Sequence, residues 1–234
     1  MNCKEIITAS KMVNTDDEKS VFISSFSDKS DAEIVAVLTV WLTNGLQGEE
    51  YALHTLVDEI MQGKPSEYID NYLPFMNFGD VAAKQCFFRM FTYENLHNLM
   101  QSIKDVKVKY GSLQVAFDNT MSKKRNKCKH IHDAFAILFS GNTMFPTRNS
   151  NCTFYRYNLL YYLLTHKLGI WSDKYMSYAQ IPCNDKIFNK AFEIGVIKKR
   201  SQSTLVNVLS LTNAAKIIFG DVEFLRLYDV LNYA

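Results

Sequence analysis

Apolar residues recur along this chain at three- and four-residue spacing, and almost nowhere at every second position. Ile34, Val37, Leu38, Trp41 and Leu42 make the first stripe. It follows Ser30-Asp31-Ala32-Glu33, which reads as a capping box with Ser30 as cap and Glu33 reaching back. Asn44-Gly45 breaks that helix, and Tyr51, Leu53, Leu56, Val57 and Ile60 mark a second one, from about Gly48 to near Gly63. Pro65 suits the first turn of a short third helix, Ser66 to Tyr72. Pro74 to Gly79 is loop, and Asp80 to Arg89 has a helical pattern with Val81, Ala82, Cys86 and Phe87 on one face. Thr92 caps a helix carrying Leu96, Leu99, Met100 and Ile103. Tyr110-Gly111-Ser112 then turns the chain into another with Leu113, Val115, Ala116 and Phe117.

Phe135 to Phe139 is a small apolar helix ended by Gly141-Asn142. Phe154 to Leu164 is apolar and aromatic at helical spacing, and Gly169 stops or bends it. The tail gives one helix with Ala214, Ala215, Ile217 and Ile218, closed by Gly220, and another from Val222 to Leu231. No alternating run and no Asn-Gly hairpin interrupts this series, so the expected fold class is all-α. No heptad persists and no solenoid repeat is visible.

At 234 residues the chain suffices for one large domain or two small lobes. Lysine plus arginine is 26 against 24 acids, a net charge of +2, which is too weak a field to demand or exclude a nucleic-acid partner. The distribution says more: Lys123, Lys124, Arg125, Lys127 and Lys129 lie between Ser122 and His132 with no acid among them. Such a run serves as a phosphate-contacting segment or as a solvated loop. Lys198-Lys199-Arg200 has the same two readings. The five cysteines form no metal spacing, and Cys128, His130 and His132 are not a usual zinc set, so reduced thiols and a loop histidine pair are expected. No phosphate or dinucleotide loop is present, and no cofactor or metal is expected. Residues 1–30 hold no signal-peptide core, and apolar runs elsewhere are interrupted short of a membrane span. The expectation is a cytoplasmic protein with no membrane partner.

One stretch organises the rest: Ile181-Pro182-Cys183-Asn184-Asp185-Lys186-Ile187. Pro182 keeps Ile181 out of a helix, Asn184 is a good N-cap, and Asp185 falls in the first turn, where the helix dipole favours an anion. Taken alone, Asp185 reads as stabilising a helix start, and only a family resemblance raises a catalytic role.

Two stretches together, Asp31 to Gly45 and Ile181 to Gly195, resemble the helix-hairpin-helix DNA glycosylase superfamily. More closely, the chain resembles an uncharacterised bacterial family distantly related to it. The shared features are Phe26 with Ser30 to Ile34, Pro65 to Ile69, Lys109 to Leu113, Arg156 with Asn158, Gly169 to Trp171, Pro182 with Asp185, and Leu211-Thr212. The resemblance implies two helical lobes with a cleft between them. One is a continuous lobe of about residues 30–150, and the other combines residues 1–29 with about 151–234. It implies a DNA partner and base-excision repair, with the N-glycosidic bond of a flipped damaged base cleaved. Asp185 would stabilise positive charge developing on the sugar. Lys167 stands eighteen residues earlier, near the spacing of a Schiff-base lysine. The leucine-proline-glycine hairpin is absent; only Leu168-Gly169-Ile170 stands in its place.

Candidate DNA contacts are Thr43 and Asn44 at the first helix end, Lys123, Lys124, Arg125 and Lys127, Arg148 in a polar loop, and Arg156 beside tyrosines. Trp41 and Leu42 continue an apolar face and read as core. The alternative function is a noncatalytic helical protein that binds nucleic acid or a protein partner on the same scaffold.

Overall fold

The structure is a computed structural model and describes residues 5–8, 18–43, 49–73, 84–88, 91–198 and 202–233. Asn44, Lys199, Arg200 and the loop from Pro74 to Gly79 lie outside the described residues.

The fold is all-α. In chain order the helices are α1 (Glu18–Ser24), α2 (Lys29–Leu42), α3 (Glu49–His54), α4 (Pro65–Asp70), α5 (Tyr93–Tyr110), α6 (Leu113–Ser122) and α7 (Ile131–Leu138). They continue as α8 (Tyr155–Tyr162), α9 (Asp185–Glu193), α10 (Leu205–Glu223) and α11 (Arg226–Tyr233). Wider π-helical turns extend α3 over Thr55–Ile60 and α8 over Leu163–Lys167. The helix expected over Asp80–Arg89 gives way, where described, to a short antiparallel pair: β1 (Cys86–Phe88) and β2 (Phe91–Thr92), with Cys86 opposite Thr92. Cys-Phe-Phe favours an extended pleat over a helix, and Phe91-Thr92 offers the matching edge.

The chain divides into two compact units. One comprises Phe22–Lys127 and Ala134–Thr147; the other comprises Met1–Val21, Cys128–Asp133 and Arg148–Ala234.

In the first, α2 is buried from Ala32 to Leu42, and Trp41 packs on Phe145 and Phe139 with centroids at 4.6 and 6.4 Å. The capping box expected at Ser30 is not formed. Asp28 is the cap, its carboxylate accepting from Ser30 N and Asp31 N at 2.8 and 3.1 Å. Glu33 is thereby freed from its own helix end. It lies 1% exposed, and its Oε2 accepts from Leu113 N at the start of α6. Lys107 on α5 is also buried, donating to Ser66 Oγ (2.6 Å) and pairing with Asp70 (2.8 Å), which joins α5 to α4. Thr92 and Asn95 form the capping box that starts α5.

In the second unit, Tyr157, Tyr161 and Tyr162 on α8 are buried, and the Tyr162 hydroxyl donates to the buried Asp229 carboxylate on α11. Asn184 caps α9 by accepting from Ile187 N at 3.0 Å, as its position after Pro182 predicts. Helix α10 is long and apolar enough to cross a membrane by length and composition. Asn207, Ser210, Asn213 and Lys216 interrupt its apolar run in sequence but not its helical course. Gly220 does interrupt it, with φ 84 and ψ 170, a conformation open essentially to glycine alone.

Candidate nucleic-acid interface

Three places hold the chemistry. The first is built where α5 ends. Its last turn carries Lys109, and then Tyr110; Gly111 takes φ 84 as its cap, so the chain can turn back at once into α6. Helix α6 ends at Lys123, and Lys124–Asn126 forms a 3₁₀ turn closed by Lys127 in the left-handed conformation. Asn126 Nδ2 donates to Thr120 O at 2.8 Å and holds this turn against α6. Between the two ends opens a pocket of about 430 Å³. Val106, Ile137 and Leu138 contribute its apolar lining; Lys109, Lys123 and Arg125 line it with Tyr110, and Asp105 is the one carboxylate. Lys109 Nζ and Lys123 Nζ lie 5.2 and 5.9 Å from the Tyr110 ring centroid. Both ammonium groups are thus within reach of the ring's negative face. The basic run contributes Lys123 and Arg125 to this pocket, while Lys124 lies exposed in the turn beside them. In the sequence Lys109 and Tyr110 stand only in a turn and in a run shared with the resembled family, and neither is a candidate contact there. The Lys-Tyr-Gly-Ser run carried both, but nothing in it says that α6 will fold back to face them.

The second place is Asp185, at the start of α9 and exposed. Its Oδ1 accepts from Ser203 N at 3.1 Å and Ser203 Oγ at 2.5 Å. The Ser203 hydroxyl, then its backbone N–H, hold the carboxyl below its ordinary range, so it is ionised at neutral pH. Cys183, just before it, is buried; burial first and the Asp185 charge second push its thiol up to about 12, which rules it out as a neutral-pH nucleophile. Lys167 closes the π-helical turn after α8, half-buried, while the carboxylate bonds of Asp185 go to Ser203.

The third place was read as a loop histidine pair. His132 is instead inside α7, 3% exposed, and Phe154 stacks on it. Its Nδ1 meets Gln180 Oε1 at 3.1 Å; that oxygen only accepts, so Nδ1 carries the proton. Asn158 Nδ2 reaches the same oxygen at 3.4 Å and Thr153 O at 3.3 Å. Asn158 Oδ1 and Gln180 Nε2 are buried without a hydrogen-bond partner among the described residues. Burial pushes the His132 imidazole down to about 4. Beside it, burial works to raise the Asp133 carboxyl. Lys129 N–H, the Arg148 guanidinium and His130 N–H outweigh that and leave it lowered. Arg148 Nε binds Asp133 Oδ1 at 2.7 Å.

Of the remaining candidates, Thr43 is buried and its hydroxyl donates to Thr39 O at 2.7 Å. Arg156 sits half-buried in the first turn of α8. Among the described residues no group of three His, Cys, Asp or Glu side chains is placed to hold a metal ion.

Fold and sites together define a helical protein with a cationic, aromatic-edged pocket on one unit and an exposed, ionised helix-start carboxylate on the other. The chain belongs to the family described as a protein of unknown function, DUF2400, which it matches over residues 20–221. No curated protein and no solved structure matches it.

Proposed function

We propose that this chain binds DNA on a glycosylase-like helical scaffold, using the pocket at the end of α5 to hold backbone phosphate. The observation that carries the reading is the gathering of Lys109, Lys123 and Arg125 around one concave site. These three cations have no carboxylate salt-bridge partner among the described residues. The three cations outnumber Asp105, the one carboxylate in the lining; such an excess attracts phosphate, and each cation neutralising a phosphate releases counterions. The test is binding of a labelled oligonucleotide across a salt series. Lys123→Ala and Arg125→Ala should each weaken binding and lower the salt slope by roughly one unit or slightly less. An unchanged slope in both variants overturns the reading.

A second reading, base removal at Asp185, is favoured by one observation: the carboxylate is ionised and accessible, and only its Oδ1 is committed, to Ser203. It ranks second because a fixed anion acts most strongly on a cationic transition state where water is excluded, and Asp185 is exposed. A base-release screen over lesion-bearing duplexes tests it. Release by the wild type that falls at least tenfold in Asp185→Asn supports it; equal release in both, or none from any lesion, ends it.

A further inference from the structure

We infer that the α5–α6 pocket takes an unpaired nucleotide, with Tyr110 as the platform on which its base stacks. The inference rests on the DNA-binding reading above and narrows it to single-stranded DNA or a base already out of its stack.

A site that touched only duplex phosphates needs cations but neither a ring nor an apolar lining. This site has more. It encloses about 430 Å³, within the range of small-ligand pockets. Val106, Ile137 and Leu138 give it apolar lining that phosphate does not use. Tyr110 is half-buried, so its ring is held in place while part of it stays accessible. In a duplex both faces of a base are covered by its neighbours, so the ring can engage only a base that has left the stack. Aromatic stacking of this kind is tolerant of sequence, because every base has a π face. Lys109 and Lys123 lie over the ring, and a stacking base displaces both; their exposed, flexible side chains can then swing to its phosphates. Asp105, whose Oδ1 accepts from Gln101 Nε2 at 2.7 Å, supplies an acceptor suited to a base amino group or a sugar hydroxyl. The combination of one ring, flanking cations and an apolar surface is that of a stacking site rather than a backbone clamp.

The experiment uses the full chain with fluorescein-labelled dT12 and a 12-base-pair duplex, read by anisotropy across a salt series, the two probes being compared at the same salt. The wild type should bind dT12 at least tenfold tighter than the duplex. Tyr110→Ala should weaken dT12 binding about tenfold or more while leaving the salt slope unchanged, because no charge is removed. Tyr110→Phe, which keeps the ring and controls for folding, should bind like the wild type. Duplex bound as tightly as dT12, or Tyr110→Ala binding like the wild type while Lys123→Ala is weakened, overturns the stacking inference and leaves the phosphate reading intact. Absence of binding to either probe at low salt overturns both.

Discussion

Phe154 lies flat on His132, with ring centroids 3.9 Å apart and planes within 1° of parallel. Phe154 takes a positive φ of 50° at the start of α8, a conformation costly for a bulky side chain. His132 is thus covered on one face by Phe154 and faces His130 at 5.1 Å in a stacked arrangement. Its Nδ1 is bound to Gln180. Asp133 favours its charged form, and Arg148 opposes it, but burial dominates.

This cluster predicts a pH dependence of stability. The unfolded imidazole titrates near 6.5 and the folded one near 4, so the unfolded chain binds more protons between those values. The contribution is complete above about pH 6.5 and is lost as pH falls toward 4; its ceiling is roughly 3 kcal/mol. Denaturant unfolding at pH 7 and pH 4.5 should show the loss in the wild type. His132→Gln, uncharged at both, should lose much less over the same interval. A wild type equally stable at both values contradicts the assignment.

Arg148 was a candidate DNA contact, and its ion pair with Asp133 points elsewhere. The guanidinium is about one-third exposed, while Asp133 is buried. Removing it leaves a buried carboxylate held by two backbone N–H groups. Arg148→Met should cost on the order of 1–2 kcal/mol, less than for a fully buried pair because water reaches the arginine. The oligonucleotide salt slope should not change. A lower slope with full stability would return Arg148 to the DNA-contacting set.

Glu33 gives a sharper test of packing. Its buried carboxylate accepts from Leu113 N, the backbone group that opens α6. Glu33→Gln retains an acceptor oxygen and should cost little. Glu33→Ala leaves that buried N–H without this acceptor and opens a void, and should cost about 2–3 kcal/mol. Chemical denaturation ranks the pair; equal losses would mean that the hydrogen bond contributes nothing.

What could be read in advance follows the range of the interaction. Thr92, Pro65, Asn184 and Gly220 act within a few residues of themselves, and their caps and breaks were legible. Glu33 was misassigned because its real partner lies eighty residues away. Cys86–Phe88 failed because three apolar residues satisfy a helix face and a strand equally, and only the facing edge at Phe91 decides. Lys123 and Arg125 were visible as charges, but their joining with Lys109 and Tyr110 depends on α6 turning back at Gly111. His132, Asn158 and Gln180 are scattered in sequence and meet only in the folded second unit.

Asp185 and Asn184 divide the work at the start of α9, and that division can be measured. Asn184 satisfies the Ile187 N–H, so Asn184→Ala should cost about 1 kcal/mol, as loss of an N-cap does. Asp185 instead holds Ser203. Ser203→Ala removes the hydroxyl that most lowers the Asp185 carboxyl, so its pKa should rise toward the ordinary carboxylate range; a carboxyl-carbon NMR titration reads this directly. Either way the group is ionised at pH 7.5. Any change in base release caused by Ser203→Ala at that pH therefore reports the position of the carboxylate and not its charge. If the Asp185 titration does not move in Ser203→Ala, the hydroxyl is not what lowers it, and the Ser203 N–H that remains and the dipole of α9 are left as causes.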